Sequence, residues 1–177
     1  MGRPTTTSLY TTKAIIILDS EGKRLHAKYY TNDYPTAADQ RKIEKTLFDK
    51  TKKMNSDIIM IDSQVTLYKN SIDTFIYLIG AADENELILS NLLSSIYEAL
   101  MLLLGSVEKR TILEQYDVTV LAIDEAIDQG IILDNDPQQI ASRVTKKSEG
   151  DNIPLSEQSL AQAFRTAQEQ LAKSLLK

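Results

Sequence analysis

Ala14-Ile15-Ile16-Ile17-Leu18, Asp19-Ser20-Glu21-Gly22 and Arg24-Leu25-His26-Ala27-Lys28-Tyr29-Tyr30 follow one another with only Lys23 between the second and third, and they decide the fold. The first run is apolar and β-branched, the second is turn chemistry with a glycine where a positive φ is needed, and the third returns with alternating character. The stretch is a β-hairpin. On its return strand Leu25, Ala27 and Tyr29 share one face and His26, Lys28 and Tyr30 the other, so one side is expected to be core and the other wetter.

Downstream of the hairpin the period changes. Between Thr36 and Met54 the residues Ile43, Leu47, Phe48, Thr51 and Met54 mark the inward stripe of a helix, with Thr36 beside Pro35 as its N-cap. Three strand-like runs follow, Ile58 to Ile61, Val65 to Lys69 and Thr74 to Ile79, separated by Asp62-Ser63-Gln64 and Asn70-Ser71. Connections this short demand antiparallel neighbours. Phe75-Ile76-Tyr77-Leu78-Ile79 is apolar on both faces, which places it centrally in a sheet covered by helices on both sides.

The second half reads as helical. Asp83 with Glu86 is a capping-box variant, Asn85 to Leu104 is apolar nearly all round and so expected to be buried, and Gly105 fits a C′ position. Val107 to Tyr116 and Asp117 to Gln129 read as two further helices, the second turning Val120, Ile123 and Ile127 inward and closing at Gly130. Asp136 is the N-cap of a short helix toward Val144, with Pro137 at N1 and Gln139 at N3. Thr145 to Asn152 is charged, contains Gly150 and lacks apolar periodicity. Beyond it Ser156 caps a last helix whose stripe is Leu160, Phe164, Ala167, Leu171 and Leu175. The chain thus divides into an N-terminal tail (1–8), a domain (9–144), a linker (145–155) and a C-terminal amphipathic helix (156–177). That helix either packs on the core or serves as a handle for a partner, and Leu160, Phe164, Leu171 and Leu175 are its interface candidates.

A length of 177 residues with 42% hydrophobic content supports one folded domain without staples. The chain has no cysteine, which excludes disulfides, thiolate metal sites and thiol nucleophiles and suits a reducing, cytosolic setting. A net charge of −5 has the wrong sign for a general nucleic-acid binder. Met1 to Thr7 has no apolar core of a signal peptide, and Arg3 and Pro4 spoil the formal myristoylation pattern at Gly2. The longest purely apolar run, Ala99 to Leu104, falls far short of the ~20 residues of a bilayer span.

Chemistry-bearing patterns are few. The one histidine, His26, reads as a partly exposed strand residue without a catalytic partner, and the sequence carries no Gly-rich phosphate loop, nucleophile elbow or H-E-x-x-H. Asp124, Glu125 and Asp128, and then Asp134 and Asp136, lack the spacing of a calcium loop and read as a solvated helix face and a cap. From Arg41 to Lys53 six basic side chains face two acidic ones. This is either the solvated side of the helix or a surface for anionic lipid or an acidic partner.

Five stretches in chain order carry a resemblance: Ser8-Leu9-Tyr10-Thr11-x-Lys13-Ala14-Ile15, Gly22-x-Arg24-Leu25-x-Ala27-Lys28-Tyr29-Tyr30, Glu84-Asn85-Glu86-Leu87, Val107-Glu108-Lys109-Arg110 and Asp124-Glu125-x-x-Asp128-x-Gly130-x-Ile132-Leu133-x-x-Asp136-Pro137-Gln138-Gln139. On a β-β-α-β-β-β-α frame from about Ser8 to Val144 they resemble the coatomer zeta family, small chains of the COPI vesicle coat related to the sigma chains of clathrin adaptors. The resemblance implies an α+β, longin-like fold: a five-stranded antiparallel sheet flanked by helices, with additional C-terminal helices. It implies neither catalysis nor a cofactor. The implied direct partner is the large gamma coatomer subunit, with the other coatomer subunits and an Arf GTPase reached through the assembled coat. The implied setting is the cytosolic face of Golgi membranes and COPI vesicles, peripherally through the complex, in retrograde transport to the endoplasmic reticulum and within the Golgi. The tail beyond Val144 favours zeta over sigma chains. A sigma-type chain, a longin domain of a trafficking regulator and a small hydrolase stay open as alternatives. The last would need a concave pocket with converging titratable groups.

Overall fold

Strands β1 (Thr12–Asp19) and β2 (Arg24–Tyr29) form the expected hairpin. The computed structural model describes residues 11–52, 58–61 and 64–151. The turn is tied by Asp19, whose carboxylate accepts from the amides of Glu21 and Lys23, both at 2.9 Å, while Gly22 takes φ 79°. The alternation on β2 is broken where the pairing shifts: Ile17 faces His26 but Leu18 faces Arg24, leaving Leu25 bulged out of the ladder. Leu25 therefore joins the same core as Ile15 and Ile17, on the face shared by His26, and not the face of Ala27 and Tyr29 as strict alternation predicts.

Strands β3 (Ile58–Ile61), β4 (Gln64–Asn70) and β5 (Thr74–Ala81) complete an antiparallel sheet in the order β2-β1-β5-β4-β3. β5 is central, as its two-sided apolar run requires. Ile76 and Leu78 enter one core layer and Tyr77 and Ile79 the other.

One layer is made by α1 (Ala37–Thr51), which lays Ile43 and Leu47 on Ala14, Ile16, Leu18 and Tyr77. Its start is a complete capping box: the Thr36 hydroxyl accepts from the Asp39 amide, and the Asp39 carboxylate accepts from the Thr36 amide. Phe48 is partly buried at the edge of this layer, and Met54 of the expected stripe lies outside the described residues.

The opposite layer is larger. Helix α2 (Glu86–Leu104) sets Leu89, Leu92, Ile96 and Leu100 against Ile15, Ile17, Leu67, Ile76 and Leu78. Around it lie α3 (Lys109–Glu114), α4 (Tyr116–Ala126) and α5 (Pro137–Asp151), which add Ile112, Ile123, Ile140 and Val144. The N-cap of α2 is Asn85, whose side chain accepts from the Leu87 amide at 2.9 Å, and not Asp83. A side-chain oxygen at the cap itself reaches the second helical amide, which one two residues earlier does not. By length and composition α2 is apolar enough to cross a bilayer, unlike the shorter run singled out from the sequence, but in this fold its inner face is core.

Two boundaries correct the sequence reading. α4 stops at Ala126, and Ile127–Asp128 (β6) pairs with Ile131–Ile132 (β7) in a small hairpin. The helical spacing of Ile123 and Ile127 is overridden by tertiary bonds, because the Thr12 amide donates to Gly130 O at 3.1 Å and the Leu133 amide to Ala126 O at 2.9 Å. Gly130 has φ 85°, and a Cβ there would sit 2.6 Å from Thr12 O. Helix α5, capped by Asp136 as expected with bonds from the Gln138 and Gln139 amides, continues to Asp151. Residues 145–151 of the expected linker are thus helical, which the absence of proline between Pro137 and Pro154 permits.

Candidate functional site

His26, the residue sequence reading singles out for its chemistry, is only 8% exposed, not partly exposed. It pairs with Ile17 on the face turned toward α4, where His26 Nδ1 shares a 3.0 Å hydrogen bond with the Tyr116 hydroxyl and the two rings meet edge to face at 5.8 Å. Its Nε2 has no hydrogen-bond partner among the described residues. Burial lowers the imidazole pKa below its ordinary value against the opposing pull of Asp124, with Lys28 and Arg24 adding to the depression. Its hydrogen bond and ring contact with Tyr116 pack β2 against α4.

Of the two acidic clusters, Asp124, Glu125, Asp134 and Asp136 are tied into the structure. Asp124 pairs with Lys28 at 2.7 Å, and Arg143 reaches back from α5 to Glu125 and Asp134. Asp134 also accepts from the Asp136 amide, a bond that with Arg143 holds its carboxyl below the usual range despite partial burial. No group of three or more metal-ligating side chains gathers among the described residues. Asp19 is buried under the hairpin turn, where desolvation pushes its pKa up. The Lys109 ammonium at 2.8 Å and the Lys23 and Glu21 amides outweigh that, leaving the carboxyl below its ordinary range. These bonds pin the start of α3 to the hairpin.

On the α1 side Glu44 is the one buried carboxylate among the described residues, 5% exposed, with Arg24 at 2.6 Å and the Tyr29 hydroxyl donating at 2.8 Å, both to Oε1. Burial and then Glu44 push the Tyr29 phenol strongly upward, so it stays a donor.

What remains is surface. Leu87 and Ile88 at the start of α2, Met101 and Leu102 at its end, Leu113 on α3 and Leu133 before α5 are exposed, Leu87 by 73% and Leu102 by 60%. Met101, Leu102 and Glu98 form one wall of an open depression of about 730 Å³ whose other wall is Asn135 to Gln138. The Ser95 hydroxyl, donating to Asn135 O at 2.6 Å, fixes that second wall to α2. The sequence reading of α2 as buried overlooks these residues. The available signal is geometric, since the apolar residues at both ends of α2 spread around more of its circumference than one sheet face can cover. The exposed apolar side chains of α2 thus form a pair at each end, Leu87 with Ile88 and Met101 with Leu102, separated on the outward face by Asn91, Ser94 and Glu98, and apolar patches of this kind are suited to being covered by another protein. The interface candidates Leu160, Phe164, Leu171 and Leu175, and the tail 1–8, lie outside the described residues.

Comparison with known proteins agrees with this reading of the fold. Residues 11–151 match the family model described as clathrin adaptor complex small chain. The chain is 44% identical over 171 residues to coatomer subunit zeta-1 of Bos taurus and of Homo sapiens, covering 96% of each chain. It is 45% identical over 169 residues to coatomer subunit zeta-2 of Arabidopsis thaliana, covering 93% of this chain and 94% of that one. In structure it matches a chain of a homology model of the full-length AP-3 complex in a stretched open conformation, with a TM-score of 0.63 at 15% identity over 78% of this chain and 94% of that chain. The five-stranded sheet between helices is therefore the adaptor small-chain, longin-like fold, and the chain belongs to the clathrin adaptor complex small chain family, among the coatomer zeta subunits.

Proposed function

We propose that the chain is a non-catalytic structural subunit of a coatomer vesicle coat that nests directly in the large gamma subunit and supports Golgi-to-endoplasmic-reticulum and intra-Golgi transport. The observation that carries this reading is the 44% identity to coatomer zeta-1 across 96% of both chains, which extends past residue 151, where the small-chain family model stops. The physical reading of the site supports it. The buried titratable groups are tied into packing and ion pairs, and the exposed apolar surface includes the two ends of α2, with a depression beside Met101 and Leu102. In this proposal those ends of α2 dock against the large subunit, the remaining coatomer subunits and an Arf GTPase are reached through the assembled coat, and the chain sits on the cytosolic face of Golgi membranes through the complex.

The test is affinity recovery of the tagged full chain from cell lysate. Stoichiometric recovery of one large helical-repeat protein, together with a rise in melting temperature on co-expression with it, is the expected result, because a partner that binds only the folded state stabilises it. A chain recovered without any large partner refutes the proposal.

A further inference from the structure

We propose that the depression between the β1–β2 turn and α1 is a docking site for anionic phospholipid headgroups at a membrane surface. It has a volume of about 410 Å³ and is lined by Gly22, Lys23, Arg24, Arg41, Glu44 and Lys45. Four of the six lining residues are cationic, in a protein of net charge −5. Two of these cations are already paired, Arg24 with the buried Glu44, which also accepts from the Tyr29 hydroxyl, and Lys23 with the exposed Glu21, so the uncompensated charge of the rim is that of Arg41 and Lys45. Arg41 and Lys45 have no carboxylate within ion-pair distance among the described residues, and neither does the adjoining exposed Lys42. Lys52, whose partner Asp49 is exposed beside it, continues the basic surface. From Arg41 to Lys52 the cations extend along roughly 16 Å of helix.

The choice of a membrane over a protein partner rests on what this face lacks. Protein interfaces are built around a desolvated core of apolar and aromatic anchors. None of the exposed large apolar side chains among the described residues lies on α1 or in the hairpin turn; those on the helices and the loop before α5 belong to the opposite layer. A cationic face without apolar anchors gains little against a protein. It gains from each basic group brought near an anionic lipid surface, with an attraction that fades within a Debye length. The inference rests on these side chains and not on the coat assignment, so the two fail independently.

The experiment is co-sedimentation of the full chain with vesicles of phosphatidylcholine alone and of phosphatidylcholine mixed with phosphatidylserine or phosphatidylinositol 4-phosphate. Retention on the anionic vesicles and not on the neutral ones is expected. Retention should be lost when salt is raised from about 0.1 M to about 1 M, which shortens the Debye length from about 10 Å to about 3 Å. Replacing Arg41, Lys42 and Lys45 together with glutamine should weaken vesicle binding by roughly a hundredfold, while R110Q, which removes a guanidinium paired with Glu114 on α3, leaves it unchanged. The three replaced side chains are exposed, and an unchanged circular dichroism melt of the triple variant confirms its fold; R41Q alone, with a several-fold loss, serves if the triple variant misfolds. Equal retention on neutral vesicles, retention insensitive to these substitutions, or binding of a polyglutamate peptide without binding of anionic vesicles overturns the proposal.

Discussion

The two faces of the sheet are finished in opposite ways. On one, a single helix, α1, closes a small core and turns outward a surface of Arg41, Lys42, Lys45 and Lys52. On the other, α2 to α5 close a core of twice as many residues and still leave Leu87, Ile88, Met101, Leu102 and Leu133 in solvent. Sequence patterning explains the contrast. α1 carries one apolar stripe, of which Ile43 and Leu47 are buried and Phe48 partly so, whereas α2 adds to its buried stripe exposed apolar pairs at its two ends. Among the described residues the first layer leaves no large apolar side chain of α1 exposed, and the second leaves both ends of α2 in solvent.

That contrast predicts how each layer fails. Leu47 in α1 and Leu92 in α2 are both fully buried, and truncation of either to alanine should cost about 2–5 kcal/mol in denaturant melts. The loss should differ in extent. Leu47→Ala loosens a layer that rests on one helix, so amide exchange should quicken over 37–51 while β5 and α2 stay protected. Leu92→Ala opens the shared core, and protection should fall throughout the sheet. Uniform loss of protection in Leu47→Ala would show the two layers to be one cooperative unit.

A smaller effect separates the buried ionisable groups of the two layers. Glu44 has a charged and a neutral partner, but His26 keeps one nitrogen unpartnered and faces Asp124 and Tyr116 from α4 and Lys28 and Arg24 from its own strand. Because burial depresses the folded-state pKa of His26, the unfolded chain takes up the proton first as pH falls through about 6.5. The stability this group contributes is therefore full above that pH and is lost below it, down to the folded pKa. Melting temperatures between about pH 7.5 and about pH 5.5 should fall with acid in the native chain and fall less in His26→Leu. An identical slope in both sets the histidine aside as the cause.

Much of this was legible in the residues. The hairpin, the order of the central strand and the caps at Thr36, Gly105 and Asp136 follow from local chemistry, and each is where turn and capping rules place it. The differences in β2, α4 and α2 share one physical cause, which is that distant contacts overrule local pattern, whereas the cap at Asn85 and the length of α5 are local. The bulge that puts Leu25 and His26 on one face depends on the shift of β2 against β1. The early end of α4 depends on the bond between Thr12 and Gly130, more than a hundred residues apart in sequence. The candidate surface on α2 was hidden for the same reason, because local composition reports apolarity and only the packed sheet reports how much of it is covered.

The smallest effect on stability is the sharpest probe of the α2 layer. Leu102 is exposed and contributes little to the core, so Leu102→Ser should move the melt by no more than about 0.5 kcal/mol. If the ends of α2 are where the large subunit docks, the same substitution removes a side chain whose burial is worth about 1.5–3 kcal/mol, and partner affinity should drop by roughly tenfold or more. Arg110→Gln on exposed α3, outside the depression, supplies the reference for a change that touches neither surface. A Leu102→Ser chain that melts normally and binds its partner undiminished would move the docking face away from α2. A chain that melts normally and loses its partner shows that the excess apolar surface serves assembly, since its removal costs the fold nothing.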